Sequence, residues 1–203
     1  MKFLILFLLI FKIILVANST YYKHKVSQFE MLSTQGNKTI AMLGDSLTDR
    51  GLWNELCENN NIINRGISGD TVIGLLARLD ILNHSVKKAF VMIGVNDLLK
   101  GRSVNYVYNN YIKIIELLQK KGIKPIIQSN LHVGAIAPNE YNEKITKLNI
   151  LMKKYAQKNK ITYLDLNKVL APNGVLLDKY SLDGLHLNGQ GYKEWVKIII
   201  NFI

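Results

Sequence analysis

Residues 39–47, Thr39 Ile40 Ala41 Met42 Leu43 Gly44 Asp45 Ser46 Leu47, decide the fold. Ile40 to Leu43 is an unbroken apolar run, the pattern of a short strand buried on both faces, and it stops at Gly44 and Asp45. A serine at the exit of such a strand is well placed to be an exposed nucleophile. Ile62 to Asn64, Ala89 to Ile93, Pro125 to Gln128 and Ile161 to Leu164 have the same character, so five short buried strands are expected in a parallel sheet. Between them, Thr71 to Leu82, Val104 to Lys121 and Tyr141 to Lys158 repeat apolar residues every three or four positions, as in Tyr108, Tyr111, Ile112, Ile115 and Leu118. These read as covering helices. A last helix from about Gly189 to Ile200, capped by Asn188, would turn Tyr192, Trp195, Val196 and Ile199 inward. Strands alternating with helices define an α/β fold.

A serine hydroxyl is a poor nucleophile until an imidazole takes its proton, and the imidazole needs a carboxylate to hold its tautomer. The C-terminal region supplies both in Asp183 Gly184 Leu185 His186. Three residues separate the pair, a distance that one turn can close. Gly66, in Asn64 Arg65 Gly66, and Asn96, in Gly94 Val95 Asn96 Asp97, each follow another apolar run and are candidate donors to an oxyanion. Ligands of open parallel sheets bind outside the carboxyl ends of the strands, which is where Ser46, Gly66 and Asn96 fall. Each residue has a plainer use: Ser46 or Asn96 could cap a helix and Gly66 could serve a tight turn. It is the set of four blocks, in this order, that favours catalysis.

Those blocks resemble the SGNH hydrolases, also called the GDSL esterase and lipase family, over roughly residues 38 to 200. The family's Ser, Gly, Asn and His match Ser46, Gly66, Asn96 and His186. The stretches Gly44 to Gly51 and Asn64 to Thr71 look most like the branch of platelet-activating-factor acetylhydrolase-like and carbohydrate acetylesterase proteins. The resemblance implies a three-layer α/β/α sandwich around a flavodoxin-like five-stranded sheet of order 2-1-3-4-5. It also implies a catalytic Ser46, His186 and Asp183, with an oxyanion hole formed by the Ser46 and Gly66 amides and the Asn96 side chain. No cofactor is implied. The expected substrate is a small acyl ester or an acetylated carbohydrate of the cell envelope or host. A lysophospholipase or thioesterase would use the same residues, and a secreted glycan-binding module could keep the scaffold without turnover.

At 203 residues and 48% hydrophobic content the chain suits one globular domain. Lys2 followed by the apolar run Phe3 to Phe11, with Ile13 to Ala17 resuming after Lys12, reads as a signal peptide cleaved after Ser19. A helix from Phe3 to Ala17 would rise about 22 Å, short of the roughly 30 Å hydrocarbon core, so export outranks the alternative of an N-terminal membrane anchor. The domain plan is therefore 1–19 as leader, 20–37 as lead-in and 38–203 as the hydrolase domain.

The net charge of +11 becomes +9 without residues 1–19, which carry Lys2 and Lys12 and no acid. That excess could draw the protein to a membrane surface or an anionic polymer, although scattered pairs such as Lys87 Lys88 fit solvated helix faces. No basic stripe with stacking aromatics or nucleic-acid motif is present, which argues against a nucleic-acid partner. Oligomeric state is not legible.

Cys57 is the only cysteine and suits a packing role, so no intramolecular disulfide forms. His24, His84 and His132 lack metal-binding spacing; His132 reads as a surface residue or as part of the substrate cleft. Gly66 Ile67 Ser68 Gly69 is not a Gly-x-Ser-x-Gly elbow, because its second glycine comes one residue early. Ser68 would shape that turn, Asp70 or Thr71 would cap the next helix, and Asp97 would cap the segment that follows it. Asp49 and Arg50 would form an ion pair, brace the nucleophile turn or touch substrate.

Overall fold

The computed structural model describes residues 20–33 and 36–203. The leader expectation falls on residues 1–19 and lies outside the described residues. Among these, no helix is long and apolar enough to cross a membrane. The chain enters with helix α1 over 20–32 and then builds five parallel strands: β1 Ile40–Gly44, β2 Ile62–Gly66, β3 Lys88–Met92, β4 Lys124–Gln128 and β5 Thr162–Leu164. Their spatial order is β2-β1-β3-β4-β5, as the resemblance implied. β1 lies at the centre of the motif, with Gly44 in register beside Gly66 of β2 and Met92 of β3.

Every residue of β1 is buried, which explains why the run shows no polar alternation. Ala41 and Leu43 face one layer, where α4 (Val72–Leu76), α6 (Val104–Lys120) and α7 (Asn139–Lys158) contribute Val72, Leu75, Tyr111, Ile115 and Leu148. Ile40 and Met42 face the other, where α2 (Ser46–Asp49), α3 (Trp53–Leu56), α8 (Asn167–Leu170) and α9 (Gly189–Ile199) contribute Leu47, Trp53, Leu170 and Trp195. Trp53 and Trp195 meet edge to face with centroids 4.8 Å apart, which locks α3 against α9. α9 starts where its sequence says it should, because the Asn188 side chain accepts the Gly191 N–H at 3.0 Å. α5 (Val95–Leu99) follows β3 as a single short turn.

Two elements depart from the sequence reading. The expected helix from Thr71 to Leu82 is broken into α4 and a 3₁₀ turn, Leu79–Ile81. The break brings Arg78 inside, only 3% exposed, where Nε and Nη2 donate to Asp70 Oδ2 at 2.9 and 2.7 Å. Its Nη1 reaches the Arg65 carbonyl at 2.7 Å and Nη2 the Gly44 carbonyl at 3.2 Å. One guanidinium thus ties the ends of β1 and β2 to the following loop. β2 also runs two residues past Asn64, because α1 covers its polar end: the Phe29 ring lies 4.7 Å from the Arg65 guanidinium.

Removing one member of a buried ion pair leaves the other charge uncompensated, at a cost of about 3–5 kcal/mol. Arg78→Ala is therefore expected to lower the stability measured by urea unfolding by that amount, whereas Lys144→Ala, at a loose surface pair with Glu140, should change it by less than about 1 kcal/mol.

Candidate active site

The turn after β1 is shaped by close backbone approach. A Cβ on Gly44 would sit 2.2 Å from Thr48 Oγ1 and 2.4 Å from the Met92 carbonyl, and one on Gly66 would sit 2.2 Å from the Asp49 nitrogen. Glycine at both positions lets α2 rest directly on the ends of β1 and β2. Asp45 caps α2 by accepting the Leu47 N–H at 3.1 Å. Asn64 holds the other end of the short helix, its Nδ2 donating to the carbonyls of Thr48, Asp49 and Gly51 at 2.9, 2.9 and 3.0 Å. Ser46 becomes the first residue of the helix, with its side chain at the carboxyl end of the sheet.

His186 comes from the loop before α9, 140 residues away in sequence, and its Nε2 lies 3.0 Å from Ser46 Oγ. Its Nδ1 lies 2.7 Å from Asp183 Oδ2, while Asp183 Oδ1 accepts the N–H groups of Leu185 and His186 at 2.9 and 2.7 Å. An ionised carboxylate only accepts hydrogen bonds, so Nδ1 carries the proton and Nε2 is left to accept from the serine hydroxyl. Partial burial acts to raise the Asp183 pKa, but the backbone and ring donors around the carboxylate outweigh it and hold the group well below the usual carboxylate range. The loop is fixed from several sides. Ser181 Oγ donates to the His186 carbonyl at 2.7 Å and accepts the Gly184 N–H at 2.9 Å, and the Gly134 N–H donates to the Gly184 carbonyl at 2.6 Å. The Tyr192 hydroxyl donates to the Leu47 carbonyl at 2.8 Å, joining α9 to α2.

The candidate oxyanion donors divide. The Ser46 N–H makes no hydrogen bond to the protein among the described residues. Asn96 lies at the start of α5, and its Nδ2 spends one hydrogen on the Asp70 carbonyl at 3.0 Å, leaving the second available. Gly66 is a correction: its N–H donates to Asn64 Oδ1 at 2.8 Å, so it is already engaged. The role of Gly66 is the close contact beneath α2. Three residues on, Gly69 adopts φ +79° and its N–H has no protein acceptor among the described residues. Sequence reading passed over Gly69 when it set aside the serine elbow; its signal was a glycine in a turn that only a left-handed residue completes.

Asp49 pairs with Lys25 of α1 at 2.9 Å rather than with Arg50. It also accepts from the Tyr21 hydroxyl at 2.7 Å and from the N–H and hydroxyl of Ser68 at 3.0 and 2.7 Å. The first helix thereby braces the turn that carries Gly69. Thr71 caps α4, while Asp97 accepts the Val72 N–H at 3.0 Å and so caps α4 rather than the segment that follows it. His132 is a second correction, since it is buried and not on the surface: its Nε2 lies 2.9 Å from Thr146 Oγ1, and burial lowers its pKa. Apolar residues on either side, Leu131 and Val133, are drawn into opposite layers and take His132 inside with them. Cys57 is buried, which pushes its thiol up to about 11. Among the described residues no group of three His, Cys, Asp or Glu side chains could hold a metal ion.

The chain is similar in sequence and fold to known proteins. Residues 42–194 match the GDSL-like lipase/acylhydrolase family. An N-acylneuraminate cytidylyltransferase of Streptococcus agalactiae is 31% identical over 83% of this chain, which spans only 38% of that protein's length. An isoamyl acetate-hydrolyzing esterase of Saccharomyces cerevisiae is 26% identical over 74% of each chain. A Streptococcus pneumonia structure described under the name platelet activating factor superposes with a TM-score of 0.87 at 25% identity, covering 96% of this chain and 98% of its own.

Asp45, next to Ser46 in the chain, is wholly buried, and its Oδ2 has no hydrogen-bond partner among the described residues. Burial pushes its carboxyl from 3.8 up to about 7. A pKa raised on folding contributes stability that is full below the unfolded value and is lost as pH rises through the folded value. Wild-type protein should therefore lose part of its Tm between pH 4 and pH 7, and Asp45→Asn should flatten that slope in paired thermal melts.

Proposed function

The chain belongs to the GDSL-like lipase/acylhydrolase family, whose members hydrolyse ester bonds, and we propose that it acts as a serine esterase removing short acyl groups, O-acetyl above all, from a carbohydrate. The observation that carries this reading is the relay from Ser46 Oγ to His186 Nε2, 3.0 Å, and from His186 Nδ1 to Asp183, 2.7 Å. His186 takes the hydroxyl proton as Ser46 Oγ bonds to the ester carbonyl carbon. It returns that proton to the departing alkoxide as the carbon–oxygen bond breaks. A water molecule then gives a proton to His186 and attacks the acyl-enzyme, and the same proton goes back to Ser46 as the carboxylic acid leaves. Asp183 stays ionised throughout, orienting the ring and stabilising its positive charge. The negative oxygen of each tetrahedral intermediate is received by the Ser46 and Gly69 N–H groups and the free hydrogen of Asn96 Nδ2.

Short acyl groups are supported by the small size of the domain, which leaves little room for a lid, and by the yeast relative, named for an acetate ester. A carbohydrate alcohol is supported by the streptococcal relative, named for an acylated sugar acid; the chain spans too little of that protein to share its nucleotidyl transfer by argument. Export completes the proposal. Cleavage after Ser19 would leave Tyr21 and Lys25, the residues that hold Asp49, in place. N-terminal sequencing of the secreted protein should then begin at Thr20.

Purified protein should hydrolyse p-nitrophenyl acetate faster than the octanoate and release acetate from O-acetylated sugars. Faster octanoate turnover would overturn the short-acyl reading and favour a lysophospholipase or thioesterase. Ser46→Ala should abolish both turnover and labelling by a fluorophosphonate probe, and a wild-type protein that neither turns over esters nor labels would be a binding module. Losing one oxyanion donor costs on the order of 100 to 1,000-fold in rate. Asn96→Ala should show that loss in kcat, with a thermal melt lowered only by the loss of its hydrogen bond to the Asp70 carbonyl, about 1 kcal/mol.

A further inference from the structure

The short helix that carries Asn96 ends in two cations, and a cleft opens between them and the first turn of α4. Thr71, Ile73, Asp97, Lys100, Gly101, Arg102 and Tyr106 line this space of about 400 Å³. Its lining residues adjoin the proposed oxyanion donors: Lys100 Nζ donates to the Gly69 carbonyl at 3.2 Å, Asp97 follows Asn96 in the chain, and Thr71 follows Asp70, whose carbonyl accepts from Asn96 Nδ2 at 3.0 Å.

The groups around the cleft are mostly hydrogen-bond donors. Neither Lys100 nor Arg102 has a carboxylate at ion-pair distance among the described residues. Of the acids nearby, Asp70 is paired with Arg78, and Asp97 is buried with Oδ2 taken by the Val72 N–H. Arg102 is held in place. Its N–H donates to the Asp97 carbonyl at 2.9 Å, Gly101 before it adopts φ +83°, and its guanidinium lies 5.1 Å from the Tyr106 ring centroid. A guanidinium stacked on an aromatic ring is pre-oriented and offers a planar fork that matches a carboxylate. The Tyr106 hydroxyl makes no hydrogen bond to the protein among the described residues and adds another donor.

We infer that Lys100 and Arg102 form an anion subsite that selects esters whose alcohol portion carries a carboxylate, such as an O-acetylated sugar acid. The inference rests on the esterase reading above. With a small acyl group seated at Ser46, the charge must lie on the alcohol, the larger part of the substrate. Lys100 serves in addition to hold the Gly69 turn, so Arg102 is the cleaner probe.

The test compares 4-acetoxybenzoate with its methyl ester, which present the same acetyl group and differ in one negative charge. Wild-type protein should prefer the anion through a lower KM, and the preference should shrink as salt is raised, because exposed charges are screened. Arg102→Gln should reduce the ratio of kcat/KM for the anion over the methyl ester by about tenfold or more, Arg102→Glu should reverse the preference, and Arg102→Lys, which keeps the charge but not the fork, should retain only part of it. Hydrolysis of both compounds with no charge preference, or with a preference that Arg102→Gln leaves intact, would overturn the subsite while leaving the esterase reading in place. Hydrolysis of neither compound, with no fluorophosphonate labelling, would remove the esterase reading itself.

Discussion

The contact between the α2 backbone and the ends of two strands governs this molecule. Gly44 and Gly66 are neighbours in the register of β1 and β2, and a side chain on either would collide with α2 or with the Met92 carbonyl. With both side chains absent, a single helical turn lies across the carboxyl ends of β1 and β2 and carries Ser46, 8% exposed, at its start. Asn64, Trp53 and Tyr192 then secure that turn through the carbonyls of Thr48, Asp49, Gly51 and Leu47, groups that a helix this short cannot satisfy internally. The position of Ser46 is thus set by backbone packing before any side-chain partner is considered.

Charge is concentrated beneath this surface. Asp45, Asp70, Asp97 and Arg78 are all buried around the carboxyl ends of β1, β2 and β3. Burying charges is unfavourable unless they are paired or capped, and most of these are: Asp70 by Arg78, Asp97 by the α4 amide, and Asp45 in part by Leu47. These carboxylates tie α2, α4 and Arg78 to the loops at the carboxyl ends of the strands. Asp49 extends this bracing outward, linking the Ser68 turn to α1 through Tyr21 and Lys25. The N-terminal helix is in this way part of the site's support.

Much of this was legible in the sequence where the signal is local. The five apolar runs gave the strands because a strand buried on both faces has no choice but continuous hydrophobicity, and Asn188 marked the start of α9 because a cap acts within three residues. Asp183 and His186 were readable as a pair for the same reason. Arg78 was not: its spacing fits a helix, and only the pull of Asp70 and two strand carbonyls shows why the helix breaks there. His132 reads as polar and exposed until Leu131 and Val133 are seen to enter opposite layers.

Gly66 and Gly69 show the boundary most sharply, since the two are alike in residue type and three positions apart. What the sequence by itself determined was the chemistry on offer and the sheet that presents it, because residue identity and hydrophobic period act through neighbours along the chain. Which amide stays free, which charge is covered and which cations face an open cleft were decided by the tertiary structure. Those properties depend on hydrogen-bond partners as far as 140 residues away and on what backbone lies within a few ångströms, neither of which leaves a mark in local sequence.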